Sequence, residues 1–208
     1  MAGDGAAAIE HFERSFARKS DGATGANLLQ CYIDAKRFKE ANALSAKLLT
    51  DWPDNPAVLG SVAHLAEQQG QPAVALSLLR DESIDLDAAS AVYPFYLRLL
   101  VENGRFEEAL QEADRGFNSL WRIEASISRG LSLLHFGDDR QAIACLRQID
   151  FEEFRELLGE WAQALHNTGI AQTVAALLDG AIARNPDEDL LRRVRESLLK
   201  SPAPLLRG

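Results

Sequence analysis

One short turn recurs along this chain at a nearly fixed interval, and it constrains the fold more than any other feature. Lys36, Gly70, Gly104, Gly137 and Gly169 are spaced by 34, 34, 33 and 32 residues. Five residues after each come Ala41, Ala75, Ala109, Ala142 and Val174, and two residues after each come Phe38, Pro72, Phe106, Asp139 and Ala171. The segments Lys36-Arg37-Phe38-Lys39-Glu40-Ala41 and Gly104-Arg105-Phe106-Glu107-Glu108-Ala109 are nearly the same motif two periods apart. Self-similarity at such a period marks one supersecondary unit, copied, that cannot bury its apolar face alone.

The residues say which unit. A glycine ends a helix without strain because it lacks a Cβ in the left-handed conformation. An aromatic two residues later tucks between two antiparallel helices, and a small residue at the fifth place lets them approach closely. Leu28, Leu29 and Tyr32 have helical spacing, as do Ala41, Leu44, Leu48 and Leu49. Each unit therefore reads as helix, turn, helix, stabilised by stacking on its neighbours.

This pattern resembles the tetratricopeptide repeat family, whose period is about 34 residues and whose first helix reads W-x2-L-G-x2-Y. The corresponding residues here are Gly25, Leu28, Leu29 and Tyr32, then Leu59, Val62, Ala63 and Ala66, then Tyr93, Tyr96, Leu97 and Leu100. Ser126, Arg129, Gly130 and Leu133 follow, then Leu158, Trp161, Ala162 and Leu165. The closing proline appears as Pro53 and Pro186. The resemblance spans roughly residues 22 to 187. It implies an all-α fold: a right-handed α-solenoid of about five helix-turn-helix repeats with capping helices at both ends.

The expected organisation is an N-terminal helix and linker over 1–21, repeats at 22–55, 56–89, 90–122, 123–154 and 155–186, a C-terminal capping helix at 187–200 and a mobile tail at 201–208. Ile9, Phe12 and Phe16 line one face of the first helix; Leu190, Leu191, Val194 and Leu198 line one face of the last. Two departures stand out. Arg129 occupies a place where the family has leucine, which predicts a shifted or distorted fourth repeat. The acidic run Asp81 to Asp87 predicts an early end to the second helix of repeat two, with a local irregularity before repeat three and Ser90 as a candidate N-cap.

Charge and chemistry narrow the function. The 31 acidic residues outnumber the 22 basic ones, for a net charge of −9. Such a chain has no general attraction for phosphate backbones, so nucleic acid is not an expected partner. No apolar run is long enough to span a membrane and no signal peptide opens the chain, so the expected location is cytoplasmic. Cys31 and Cys145 read as reduced thiols, too far apart in the stack for a disulfide. Phosphate-binding loops, nucleophile elbows and zinc-protease motifs are missing from the sequence. His135 and His166, with Glu160 or Glu124, are the only metal candidates, and they read more simply as solvated groove residues. No cofactor, no metal and no catalytic activity are expected.

The resemblance implies that the first helix of each repeat lines a concave groove. Carried over by register, the partner-binding candidates are Asn27, Gln30, Asp34, His64, Gln68, Phe95, Arg98, Glu102, Ile127, Leu131, His135, Glu160, Gln163 and Asn167. Ile33, Ser61, Glu67, Val101, Glu124, Ser128, Leu134, Glu156 and His166 share the same face. Carboxylates outnumber cations there, and Phe95, Val101, Ile127, Leu131 and Leu134 form an apolar middle. An acidic groove with an apolar floor suits a basic, amphipathic segment of another protein. The family's clamp for chaperone tails requires paired cations, but Ala26 and Gln30 stand at the first-repeat positions, which excludes that ligand. The expected function is a non-catalytic interaction module: an adaptor, assembly factor or scaffold. The alternative is a self-associating scaffold, in which Trp121 or the Pro204-Leu205-Leu206 tail meets a second copy.

Overall fold

A computed structural model describes residues 2–80, 92–116 and 120–199 of the chain. Among the described residues there are twelve helices and no strand. In order these are α1 (Ala2–Arg18), α2 (Gly22–Asp34), α3 (Phe38–Asp51), α4 (Pro56–Gln68), α5 (Pro72–Leu79) and α6 (Tyr93–Glu102). Then follow α7 (Phe106–Gly116), α8 (Arg122–His135), α9 (Asp139–Leu146), α10 (Arg155–Thr168), α11 (Ala171–Arg184) and α12 (Asp189–Leu199). They form two compact units, Met1–Val92 and Tyr93–Gly208.

The repeated turn does what its composition predicts. Lys36 has φ 55°, and Gly70, Gly104, Gly137 and Gly169 have φ 74°, 67°, 80° and 78°. Lys36 carries a Cβ into the left-handed region, at a cost of about 1 kcal/mol that a glycine avoids. The residue after the turn closes the preceding helix. Arg37, Gln71, Arg105 and Asp138 donate their N–H groups to the carbonyls of Tyr32, Ala66, Leu100 and Leu133 at 2.8–2.9 Å. The second helix then begins two residues after the turn each time, at Phe38, Pro72, Phe106, Asp139 and Ala171. The small residues at the fifth place, Ala41, Ala75, Ala109, Ala142 and Val174, have no exposed surface.

In the first unit, α2 packs against α1, α3 and α4. Its N-terminus is capped by Asp21, whose carboxylate accepts from the Thr24 N–H at 2.8 Å. Asn55 caps α4 in the same way, ahead of Pro56 at the first helical position. Ile9, Phe16, Leu28, Leu29, Tyr32 and Leu48 belong to one core. A Cβ added at Gly25 would lie 2.3 Å from Cδ2 of Leu48, so α2 and α3 approach closely there. The α5 helix ends at Leu79, as the sequence predicts. The irregularity expected beyond it, Ser90 included, lies outside the described residues, as do Lys200 and the tail 201–208.

In the second unit, α6, α7, α8 and α9 pack as two successive repeats. Arg129 does not distort α8. Its side chain lies between helices, with Nε 2.6 Å from Asp114 Oδ1 and Nη1 3.0 Å from Cys145 Sγ. One substituted apolar position is therefore absorbed by an ion pair to α7. The departure from a regular stack falls one repeat later. A continued stack would set α10 against α8 and α9, whereas here α10 packs on α6, α11 on α8, and α12 on α9, α10 and α11. Between repeats, α3 and α4 are joined by only 52–55, but the corresponding connector 147–154 is longer and anchors Ile149 and Phe151 in the core. That slack lets the last three helices fold back over the first helices of their own unit. Trp121 is half-buried, so it is not the exposed apolar surface expected for self-association.

Candidate functional site

The first-unit positions that the resemblance assigns to a groove lie on α2 and α4 and are mostly polar. The packing of α2 beside α4 sets their side chains in two rows. Asn27, Asp34 and Gln68 are exposed, while Gln30, Ser61 and His64 are half-buried. Ile33 and Glu67 are buried between the rows. Gln30 Nε2 donates to Asp34 Oδ1 at 2.8 Å, which orients the amide along the helix. His64 Nδ1 lies 3.0 Å from Glu67 Oε2, which sets the ring against a buried carboxylate.

In the second unit the middle of α8 and the end of α6 are buried at the same positions. Val101, Glu102, Ile127, Ser128, Leu131 and Leu134 are buried; Ile127, Ser128 and Leu131 expose nothing. Ile127 and Leu131 are therefore packed interior residues and not an accessible groove floor. The physical reason is the folded-back pair: α11 lies on α8 and α10 on α6. Covering each of the apolar ones, Val101, Ile127, Leu131 and Leu134, is worth about 1.5–3 kcal/mol. Phe95 and Arg98 are half-buried at the edge. The Arg98 guanidinium lies over the Phe95 ring at 5.2 Å, approaches Glu102 Oε1 at 3.3 Å and donates to the Glu160 carbonyl at 3.4 Å. Glu124 sits at the same junction, where burial and the charge of Glu160 push its carboxyl above the usual glutamate range.

The remaining candidates are on the surface. His135 is exposed and stacks on Phe106, with ring centroids 4.4 Å apart. Glu160, Gln163 and Asn167 are exposed on α10, where Gln163 donates to Asn167 Oδ1 at 2.7 Å. Because α10 lies on α6, these three do not extend a row begun by α8. The closure is fastened at its rim: Arg184 Nε and Nη2 each lie 2.7 Å from the Asp139 carboxylate, and Asn185 donates to the same group at 2.8 Å. Arg147 also reaches Glu188 at 2.5 Å.

A second concavity, unmarked by the repeat pattern, lies among α1, α2 and α3. Its volume is about 570 Å³ and its floor is Phe16, Leu28, Tyr32 and Leu44. Glu13 and Glu40 stand at one end and Lys47 at the other, with Ala17, Ala43 and Ser20 along the rim. The Tyr32 hydroxyl donates to Glu13 Oε1 at 2.7 Å; burial first, and that bond second, push the phenol up to about 12. Arg37 lies over the Tyr32 ring and pairs with Glu40 at 2.8 Å. Lys47 Nζ lies 5.1 Å from the Phe16 ring centroid. The repeat pattern gave no signal for it; the small residues Ala17 on α1 and Ala43 on α3 both line it.

For other chemistry the described residues offer little. Among them, no group of three or more His, Cys, Asp or Glu side chains is placed to hold a metal. Cys31 has its thiol pushed up by burial and by Asp34, so it stays protonated. No helix among the described residues is long and apolar enough to cross a membrane.

No family model and no curated protein sequence matches the chain. Among solved structures it is similar to the crystal structure of YrrB, described as a TPR protein with an unusual peptide-binding site. The two share 18% identity and a TM-score of 0.58, over 91% of this chain and 100% of the other. With the positive-φ turns and buried small residues in register, that likeness identifies the architecture: this chain has the tetratricopeptide-repeat fold.

Proposed function

We propose that the protein is a non-catalytic interaction module that takes a segment of a partner protein along the concave strip of α2 and α4. The observation that carries this reading is the contrast between the units. The equivalent strip of the second unit is filled by the chain itself, whereas Asn27, Asp34 and Gln68 are exposed. The strip is lined by carboxamides, each holding a donor and an acceptor, which is the chemistry that satisfies a peptide backbone. Asp34 and Glu67 give it acidic character, which favours a segment carrying basic residues. The apolar floor expected for an amphipathic ligand lies under α10 and α11, so recognition is mainly polar. The likeness to YrrB, a protein described as having a peptide-binding site, supports a peptide as the ligand class. A role as adaptor, assembly factor or scaffold in the cytoplasm fits this reading.

The test is site-specific photo-crosslinking in the source cell. A photoreactive amino acid is placed at Asn27 or Gln68, and at Glu107 as a surface control. The reading predicts a discrete adduct from the first two positions and none from Glu107. Equal adducts at all three positions, or none at Asn27 and Gln68, would contradict it.

A further inference from the structure

We propose that the pocket among α1, α2 and α3 is a second binding site, for a short peptide segment with an apolar side chain set between a basic residue and a carboxylate. This site is separate from the concave strip, and it follows from three features of the pocket. The first is size and lining. A volume of about 570 Å³ over Phe16, Leu28, Tyr32 and Leu44 lies within the range of pockets that accept one anchoring group. The second is polarity. Short connectors on both sides of α2 make α1 and α3 run in the same direction, so Glu13 and Glu40 share one end and Lys47 marks the other. At that end the Glu13 and Glu40 carboxylates line the pocket, Glu13 accepting from Tyr32 and Glu40 paired with Arg37. The third is reach. Glu40 and Lys47 are two helical turns apart, about 10 Å at 1.5 Å per residue. An extended segment covers that in about three residues.

The expected ligand therefore places a cation and a carboxylate three positions apart with a leucine- or phenylalanine-like side chain between them. Its basic group lies by Glu13 and Glu40, its apolar group on Leu44 and Phe16, and its carboxylate by Lys47. The Tyr32 hydroxyl, protonated up to about pH 12, keeps Glu13 oriented as an acceptor.

The test uses the full chain and a phage-displayed library of random heptapeptides. Selection is expected to enrich the pattern basic, apolar, acidic at that spacing. Ala43→Phe and Ala17→Phe close the mouth from opposite walls; both residues are exposed, so neither change touches the core. Each is expected to weaken the enriched peptides at least tenfold while leaving the circular dichroism spectrum and melting temperature unchanged. Lys47→Glu is expected to replace the preferred acidic residue with a basic one. Asn27→Arg on the concave strip is expected to leave binding intact, which separates this site from that one. Enrichment of no peptide, enrichment without the charge pattern, or binding unaffected by both closing variants would overturn the proposal.

Discussion

The two units share one helix-pair design and differ in what lies on its inner face. Position for position, Asn27, Gln30 and Asp34 of α2 correspond to Ser128, Leu131 and His135 of α8. In α2 two of the three are exposed; in α8, Ser128 and Leu131 expose nothing. The turns, the buried small residues and the Schellman-type closures are common to both units. Repeat motifs thus specify how two helices pair, while groove composition decides whether a face stays open. An apolar strip on an inner helix calls for a cover, and here the cover is the chain's own last three helices.

The sharpest way to break this comparison is to truncate equivalent residues. Leu131→Ala is expected to cost about 2–5 kcal/mol in urea denaturation, through lost burial and a cavity. Gln30→Ala, its counterpart in α2, is expected to stay within about 0.5 kcal/mol. Equal effects would mean that the second face is as open as the first.

A smaller effect tests the close approach that both units share. A Cβ at Gly130 would lie 2.6 Å from Cδ2 of Leu146, as one at Gly25 would meet Leu48. Gly130→Ala and Gly25→Ala are each expected to destabilise by about 1–3 kcal/mol. Gly159, on α10, has nothing within 4 Å. Gly159→Ala is expected to stabilise by up to about 1 kcal/mol through helix propensity. Thermal melts of the three variants check the contrast.

The fastening of the cover gives a pH-dependent prediction. The Arg184 guanidinium, with help from Asn185, holds Asp139 below its usual value near 3.8. A depressed carboxyl stabilises the fold above its unfolded value and loses that contribution as pH falls through the folded one. Arg184→Ala is therefore expected to lower stability slightly at neutral pH, because the pair is largely solvent-screened. The difference from wild type is expected to shrink below about pH 4, read as melting temperature against pH.

The smallest expected change has the opposite sign. Burial and the charge of Glu160 push Glu124 above its usual value near 4.5. In that window the folded state binds the extra proton, so stability falls as pH rises through it. Glu124→Gln is expected to raise the melting temperature by roughly 1–2 °C at pH 7. The gain is expected to vanish in acid, where the wild-type carboxyl is already neutral.

The fold was legible because its signals are local. Gly70, Gly104, Gly137 and Gly169 mark positions that need a left-handed backbone, and Phe38, Pro72, Phe106, Asp139 and Ala171 start the second helices. Lys36 could be aligned only because its neighbours repeat those of Gly104. The groove was less legible because exposure there depends on contacts far apart in sequence. Ile127 and Leu131 announce that something covers them; their spacing does not say whether it is a partner or α11. The longer connector 147–154 and the shortened spacing before Gly169 were the readable hints. The α1–α3 pocket left almost no trace, since it arises from two alanines on helices that share no repeat position.

The measurement that tests the account most directly is a methyl NOE spectrum of the whole chain with labelled Ile, Leu and Val. With α11 lying on α8, NOEs are expected between Ile127 and Leu131 of α8 and the buried α11 residues Val174 and Leu178. NOEs linking α8 mainly to α10, with no α8–α11 cross-peaks, would show a regular stack with an open second groove and contradict that packing.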